Sequence, residues 1–129
     1  MKKMVLVTLA AVAFLSACSS ENGAVAKVSV DEFRNQIASV NGVVIDVRTP
    51  EEFNAGHLEN AININVESSD FQSKISELDK NTTYFVYCKS GRRSTLATDQ
   101  MVDSGFTSLY NLNGGFSDLV NSGISVSTN

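Results

Sequence analysis

From Lys27 onward, short apolar runs alternate with segments whose apolar residues recur every three or four positions, the pattern of strands alternating with amphipathic helices. Ser29-Val30-Asp31-Glu32 has the form of a capping box and opens a helix carrying Val30, Phe33 and Ile37 on one face. Asn41-Gly42 ends it. The β-branched run from Val43 to Val47 predicts a central parallel strand covered on both faces. Thr49-Pro50-Glu51-Glu52 starts a second helix, with Thr49 as N-cap, Pro50 at the first position and Gly56 closing it.

Ala61 to Val66 alternates as a short strand, and residues 69–78 place Phe71, Ile75 and Leu78 at helical spacing. Residues 83–87 predict the next strand, which delivers Cys88 at its C-terminal end. A helix over 94–103 carries Leu96, Ala97, Met101 and Val102 and stops at Ser104-Gly105. A strand over 108–112, a Gly114-Gly115 turn and a short helix over 116–121 complete the chain. The alternation predicts an α/β domain, and in open α/β sheets ligands bind at the carboxyl ends of the strands. Cys88 is in that place.

The pattern before Lys27 is different. Lys2 and Lys3 precede an apolar run from Met4 to Leu15, the length of an export-signal core and short for a membrane span. The run ends in Leu15-Ser16-Ala17-Cys18, which resembles the bacterial lipobox, where cleavage before the cysteine leaves it lipid-bearing. The expected organisation is a signal peptide over 1–17, a lipidated Cys18 with a polar tether over 18–26, and one domain over 27–129. A plain secretory signal with an incidental Cys18 is the alternative. Both place the protein in the cell envelope, extracytoplasmic, and the first adds a membrane anchor.

Charge sharpens the picture. Of 129 residues, removal of the first 17 leaves 112 and takes two lysines, so the net charge goes from −4 to −6. A domain this acidic is a poor partner for nucleic acid. Yet Lys89, Arg92 and Arg93, three of the eight basic residues then left, fall within five positions after Cys88. A loop entering a helix presents backbone N–H groups and a partial positive charge, which bind an anion or stabilise a thiolate. That environment lowers a cysteine pKa. With Cys18 lipidated, Cys88 is the sole free thiol.

The blocks Val44-Ile45-Asp46-Val47-Arg48-Thr49-Pro50-Glu51-Glu52-Phe53, Gly56-His57-Leu58, Tyr87-Cys88-Lys89-Ser90-Gly91-Arg92-Arg93-Ser94 and Leu112-Asn113-Gly114-Gly115-Phe116 occur in an order that resembles a single-domain rhodanese. The resemblance implies a three-layer domain with a central, mainly parallel sheet flanked by helices. It puts the family's C-x-x-G-x-R pattern on Cys88, Gly91 and Arg93. It implies a sulfurtransferase in which Cys88 takes a sulfane sulfur from an anionic donor such as thiosulfate, becomes a persulfide, and passes the sulfur to cyanide or a thiol. Lys89, Ser90, Gly91, Arg92 and Arg93 would form the substrate cradle, with Arg93 foremost in steering or holding the anion. No cofactor is implied. The chain departs from the pattern at Glu59-Asn60, where Pro-Gly is usual, at Val66 in place of proline, and at Leu119 in place of tryptophan.

Other polar residues carry plainer expectations. Asp46 should hydrogen-bond loop backbone and Arg48 should pair with Glu52 or a neighbour, so both support the site at most. His57, the single histidine, should be structural. One histidine and one free cysteine do not make a metal site, since structural zinc takes four ligands. A cysteine phosphatase with a C-x5-R loop would need arginine at 94, where this chain has Ser94. A persulfide carrier, redox sensor or partner-binding module with little turnover is the rival from another class.

Overall fold

A computed structural model describes residues 23–128. The expected signal peptide, Cys18 and most of the expected tether lie outside them. The end of that tether does not: β1 (Val25–Val28) is already a strand, so the domain starts two residues earlier than expected. β1 is paired in parallel along its whole length with β6 (Leu109–Leu112).

The remaining elements keep the predicted order, with two unpredicted two-residue strands among them. They are α1 (Val30–Ser39), β2 (Gly42–Asp46), α2 (Pro50–Ala55), β3 (His57–Leu58), β4 (Ile62–Asn63), α3 (Phe71–Ser76), β5 (Thr83–Tyr87), α4 (Arg92–Asp103), α5 (Phe116–Asn121) and β7 (Val126–Ser127). Five strands form one parallel sheet in the order β1-β6-β5-β2-β4. Its strands run alternately with helices on both faces, the three-layer arrangement that the resemblance implies. β3 and β7 make a separate antiparallel pair that the sequence pattern does not announce.

Period-two alternation along β5 divides the core. Tyr84, Val86 and Cys88 face the layer of α3 and α4, with Phe71, Ile75, Ala97 and Met101. Phe85 and Tyr87 face the opposite layer, with Phe33 of α1 and Leu119 of α5. Leu119, standing where tryptophan is usual, is fully buried there. Burial of such a leucine is worth about 1.5–3 kcal/mol.

Local chemistry sets the ends. Thr49 and Glu52 form a complete capping box at α2, whereas at α1 Ser29 accepts from the Glu32 N–H and the Glu32 carboxylate instead accepts from Gln36. Asn60 adopts φ 66° at the position where glycine is usual, a left-handed conformation that asparagine tolerates better than most side chains. Four expectations are corrected. The strand expected over 61–66 is only β4, α3 is shorter than the expected 69–78, and α4 begins two residues early, at Arg92. Leu96, expected on the core face of α4, is 49% exposed.

Candidate active site

β5 lies in the middle of the parallel sheet, so the residue that follows it emerges at the sheet's carboxyl edge between the ends of β2 and β6. That residue is Cys88. It remains fully buried, as the last inward position of the Tyr84–Val86 row. The chain then turns through Lys89 and Ser90 to Gly91, which takes φ 95° and caps α4. This left-handed conformation is strained for any residue with a Cβ. It brings the Gly91 N–H to 3.0 Å from Cys88 Sγ, where it donates.

The Gly91 carbonyl is held in turn. It accepts from Thr95 N (3.2 Å), Thr95 Oγ1 (2.8 Å) and Ser94 Oγ (3.1 Å). Asn111 of β6 donates to Thr95 Oγ1 at 3.0 Å, which ties the loop to the sheet. On the other side the segment leading into α5 crosses the loop. Phe116 N donates to Cys88 O at 2.9 Å. A Cβ on Gly115 would stand 1.6 Å from Lys89 O, so only glycine fits.

Two opposing influences act on the thiol. Burial, the larger single one, pushes its pKa up. Against it stand hydrogen bonds from the Ser94 hydroxyl and from the backbone N–H groups of Ser94, Ser90 and Gly91. Together these win, and Cys88 lies below the ordinary thiol value. The Ser94 proton has two acceptors in reach, Gly91 O and Cys88 Sγ, and a thiolate is the stronger of them.

The basic residues divide unexpectedly. Arg93 is not free: Nη1 donates to Glu52 Oε1 at 2.7 Å and Nη2 to Glu52 Oε2 at 3.0 Å, and Glu67 lies 3.6 Å away. The Arg93 guanidinium draws the Glu52 carboxyl down to about 2. Arg48 does not pair with Glu52. Its Nε and Nη2 donate to Asp46, and Nη2 also to Gly56 O. Asp46 further accepts from Arg48 N at 2.9 Å, the backbone bond expected of it, and from Tyr87 Oη at 2.7 Å. Among the described residues Lys89 and Arg92 have no ionic partner.

A cavity of about 440 Å³ opens beside the loop, lined by Arg48, Glu52, Ala55, Lys89, Ser90 and Phe116 among others. The Arg48 guanidinium packs 4.1 Å from the centre of the Phe116 ring. His57 does not line this cavity: Nδ1 donates to Phe53 O at 2.7 Å and its ring stacks on Phe53 at 3.7 Å. Both contacts anchor the ring to α2.

The family model described as "Rhodanese-like domain" matches residues 29–122, which include every described element of this site. The chain belongs to the Rhodanese-like domain family.

The chain is 37% identical over 75 residues to thiosulfate sulfurtransferase PspE of Escherichia coli, covering 58% of this chain and 71% of PspE. Over 99 residues it is 34% identical to adenylyltransferase and sulfurtransferase UBA4 of Debaryomyces hansenii, covering 69% of this chain and 22% of UBA4. Against several curated relatives it therefore spans less than two thirds of the relative's length. The crystal structure of a rhodanese-related protein from Thermoplasma volcanium superposes with a TM-score of 0.70 at 26% identity, covering 80% of this chain and 98% of that one.

Within this rhodanese-like site, two contributors escaped the sequence reading. The sequence marks Ser94 as the end of a family block and as the residue that breaks a C-x5-R motif, and gives its hydroxyl no role, although in the first turn after the loop it is placed to face the sulfur. Gly115 was expected to make a turn, and its contact with Lys89 is tertiary. The Gly-Gly pair inside the block over 112–116 is the signal for it.

Proposed function

We propose that this domain is a sulfurtransferase that moves a sulfane sulfur from thiosulfate or a similar anionic donor to a thiol or cyanide through a persulfide on Cys88. The observation that carries the reading is the Gly91 N–H donating to Cys88 Sγ at 3.0 Å, within a set of hydrogen bonds that lowers the thiol pKa despite full burial. Each half of the reaction ends with a negative sulfur at that point. In the first, the Cys88 thiolate attacks the outer sulfur of thiosulfate, the donor S–S bond breaks, and sulfite leaves with the electron pair. In the second, the acceptor attacks the outer sulfur of the persulfide and Cys88 leaves as thiolate.

In this reading the backbone from Lys89 to Arg93 and the Ser94 hydroxyl hold the sulfur. Arg48, Lys89 and Arg92 supply positive charge to the donor, and Arg93 acts through Glu52. Intact mass after thiosulfate treatment tests it: the wild type should gain one sulfur atom and Cys88→Ser none. A wild-type protein that gains nothing would overturn the reading. Full burial of Cys88 restricts an acceptor's access and so favours a second one, a persulfide carrier with little turnover. Loading without steady thiosulfate-to-cyanide turnover would select it.

We also propose that the domain works in the cell envelope on a lipid anchor at Cys18, after removal of residues 1–17. The support is the order Lys2-Lys3, apolar run, Leu15-Ser16-Ala17-Cys18. Cys18→Ala should move the protein from the membrane to the soluble fraction. Retention on membranes would overturn the anchor.

A further inference from the structure

Asn111 is 3% exposed on β6, a strand that also buries Leu109 and Leu112. An apolar side chain would fill the same place without stranding a polar atom. Asn111 strands one: its Oδ1 is buried with no partner among the described residues. The bond its side chain does make runs from Nδ2 to Thr95 Oγ1 at 3.0 Å. An amide nitrogen only donates, and a hydroxyl has a single proton. The Thr95 hydroxyl therefore accepts from Asn111 and keeps its proton for the Gly91 carbonyl. At 2.8 Å this is the shortest of the three contacts that carbonyl accepts, against 3.1 Å from Ser94 Oγ and 3.2 Å from Thr95 N.

We propose that Asn111 and Thr95 are positioning residues for the Cys88 sulfur: they give the Gly91 carbonyl a fixed donor and so leave the Ser94 hydroxyl free to turn to Sγ. The inference rests on the persulfide reading for the use made of the thiolate, and adds the device that directs a donor to it. A carbonyl oxygen has two lone pairs. Thr95 N and Thr95 Oγ1 meet both, so the Gly91 carbonyl does not depend on Ser94. Ser94 is fully buried, with Gly91 O and Cys88 Sγ as the acceptors in its reach. Its proton goes to the sulfur when a thiolate forms, because an ionised acceptor makes the stronger bond. Without the Thr95 hydroxyl one lone pair of Gly91 O falls to Ser94, and the sulfur must compete for the same proton. Gly91 thus offers its N–H to the sulfur while its carbonyl is kept from drawing Ser94 away.

The test follows the pH midpoint of Cys88 alkylation by iodoacetamide in the full-length protein, read from the mass of the peptide that carries Cys88, so that Cys18 does not enter. Alkylation reports thiolate and needs no sulfur transfer. Thr95→Val, which removes the hydroxyl and keeps the shape, should raise the midpoint by about half a pH unit or more. Thr95→Ser, which retains the hydroxyl, should return the wild-type midpoint. The deciding comparison is made in Ser94→Ala, where a residue that acts through Ser94 has nothing left to act on. The double variant Ser94→Ala/Thr95→Val should therefore match Ser94→Ala within about 0.3 pH unit. Asn111→Ala, which leaves the Thr95 hydroxyl undirected, should shift the midpoint in the same direction and likewise add nothing to Ser94→Ala, and it decides the question if Thr95→Val does not fold. An unmoved midpoint in the single variants, or a shift that persists at full size in Ser94→Ala, would overturn the proposal. A wild type that shows the expected midpoints yet gains no sulfur from thiosulfate by intact mass would overturn the persulfide reading and leave the Asn111–Thr95 pair its role at the thiolate.

Discussion

Arg93 grips Glu52 through two parallel hydrogen bonds of 2.7 and 3.0 Å, so the arginine of the C-x-x-G-x-R pattern is neutralised by a residue 41 positions away. The pair joins the start of α4 to α2, whose Glu52 lines the cavity. Planar, bidentate pairing of this kind is stronger than a single contact and fixes both side chains. In the proposed reaction the loop would meet a donor with Lys89, Arg92 and part of Arg48, while Arg93 would hold an acidic group out of its way.

Arg93→Ala should accordingly raise the thiosulfate KM by leaving Glu52 unpaired in the cavity wall. Adding Glu52→Gln should restore much of the loss. If Arg93 contacts the donor itself, the double variant will be no better than Arg93→Ala. Stability gives a second readout. The Glu52 pKa is lowered in the folded state to about 2, so its stabilising contribution is present above the ordinary carboxylate value of 4.5 and is lost as pH falls toward 2. The stability difference between wild type and Glu52→Gln, about 1 kcal/mol at neutral pH after allowance for solvent, should shrink over that window in urea unfolding.

Ser94→Ala should move the pH dependence of persulfide formation. Thiolate is the attacking form, so the rate rises with pH through the Cys88 pKa and levels above it. Hydrogen bonds from Ser94, Ser90 and Gly91 bring that rise below the ordinary thiol range. Without the hydroxyl the rising limb should shift upward by about one pH unit, with the largest rate loss at low pH and little at high pH. An unshifted profile with a uniformly lower rate would show that Ser94 serves packing alone.

Gly115→Ala tests the contact between the α5 entrance and the loop. A methyl placed 1.6 Å from Lys89 O cannot be absorbed by a side-chain rotation, because the obstacle is backbone. The loop must move by an ångström or more, and misplacement of that size costs about 10²-fold in rate. Persulfide formation should fall by that order, with a loss of about 1–3 kcal/mol in stability. A variant close to wild type in both would mean the approach is readily relaxed.

Elements specified by neighbouring residues were legible in the sequence. α2 has its cap, its proline and its closing glycine within eight positions, and β5 is a continuous apolar run. β1 was not legible, because Val25 and Val28 are half-buried and Ala26 and Lys27 are exposed on a sheet edge. β3 and β7 exist by pairing His57 and Leu58 with Ser127 and Val126, far along the chain. The charges show the same limit. Of the two partners the sequence offers Arg48, Glu52 or a neighbour, it takes the buried neighbour Asp46, and Glu52 goes to the distant Arg93. Composition counts charges, and only the fold assigns their partners.

Tyr87→Phe tests whether the residue before the nucleophile orients Arg48. The Tyr87 hydroxyl donates to Asp46 Oδ2 at 2.7 Å and accepts from Leu58 N at 3.0 Å, so one oxygen links β5 to the end of β2 and to β3. Asp46 in turn aligns Arg48, which lines the cavity. Removing the hydroxyl leaves the Leu58 N–H buried without its acceptor, which costs about 1–3 kcal/mol. That loss alone would be structural. The informative readout is the split between KM and kcat: a displaced Arg48 weakens donor binding, so thiosulfate KM should rise severalfold while the rate at saturation changes less. Equal loss in both, or loss of stability with unchanged kinetics, would remove Tyr87 from the positioning of Arg48 and leave it a role in the core alone.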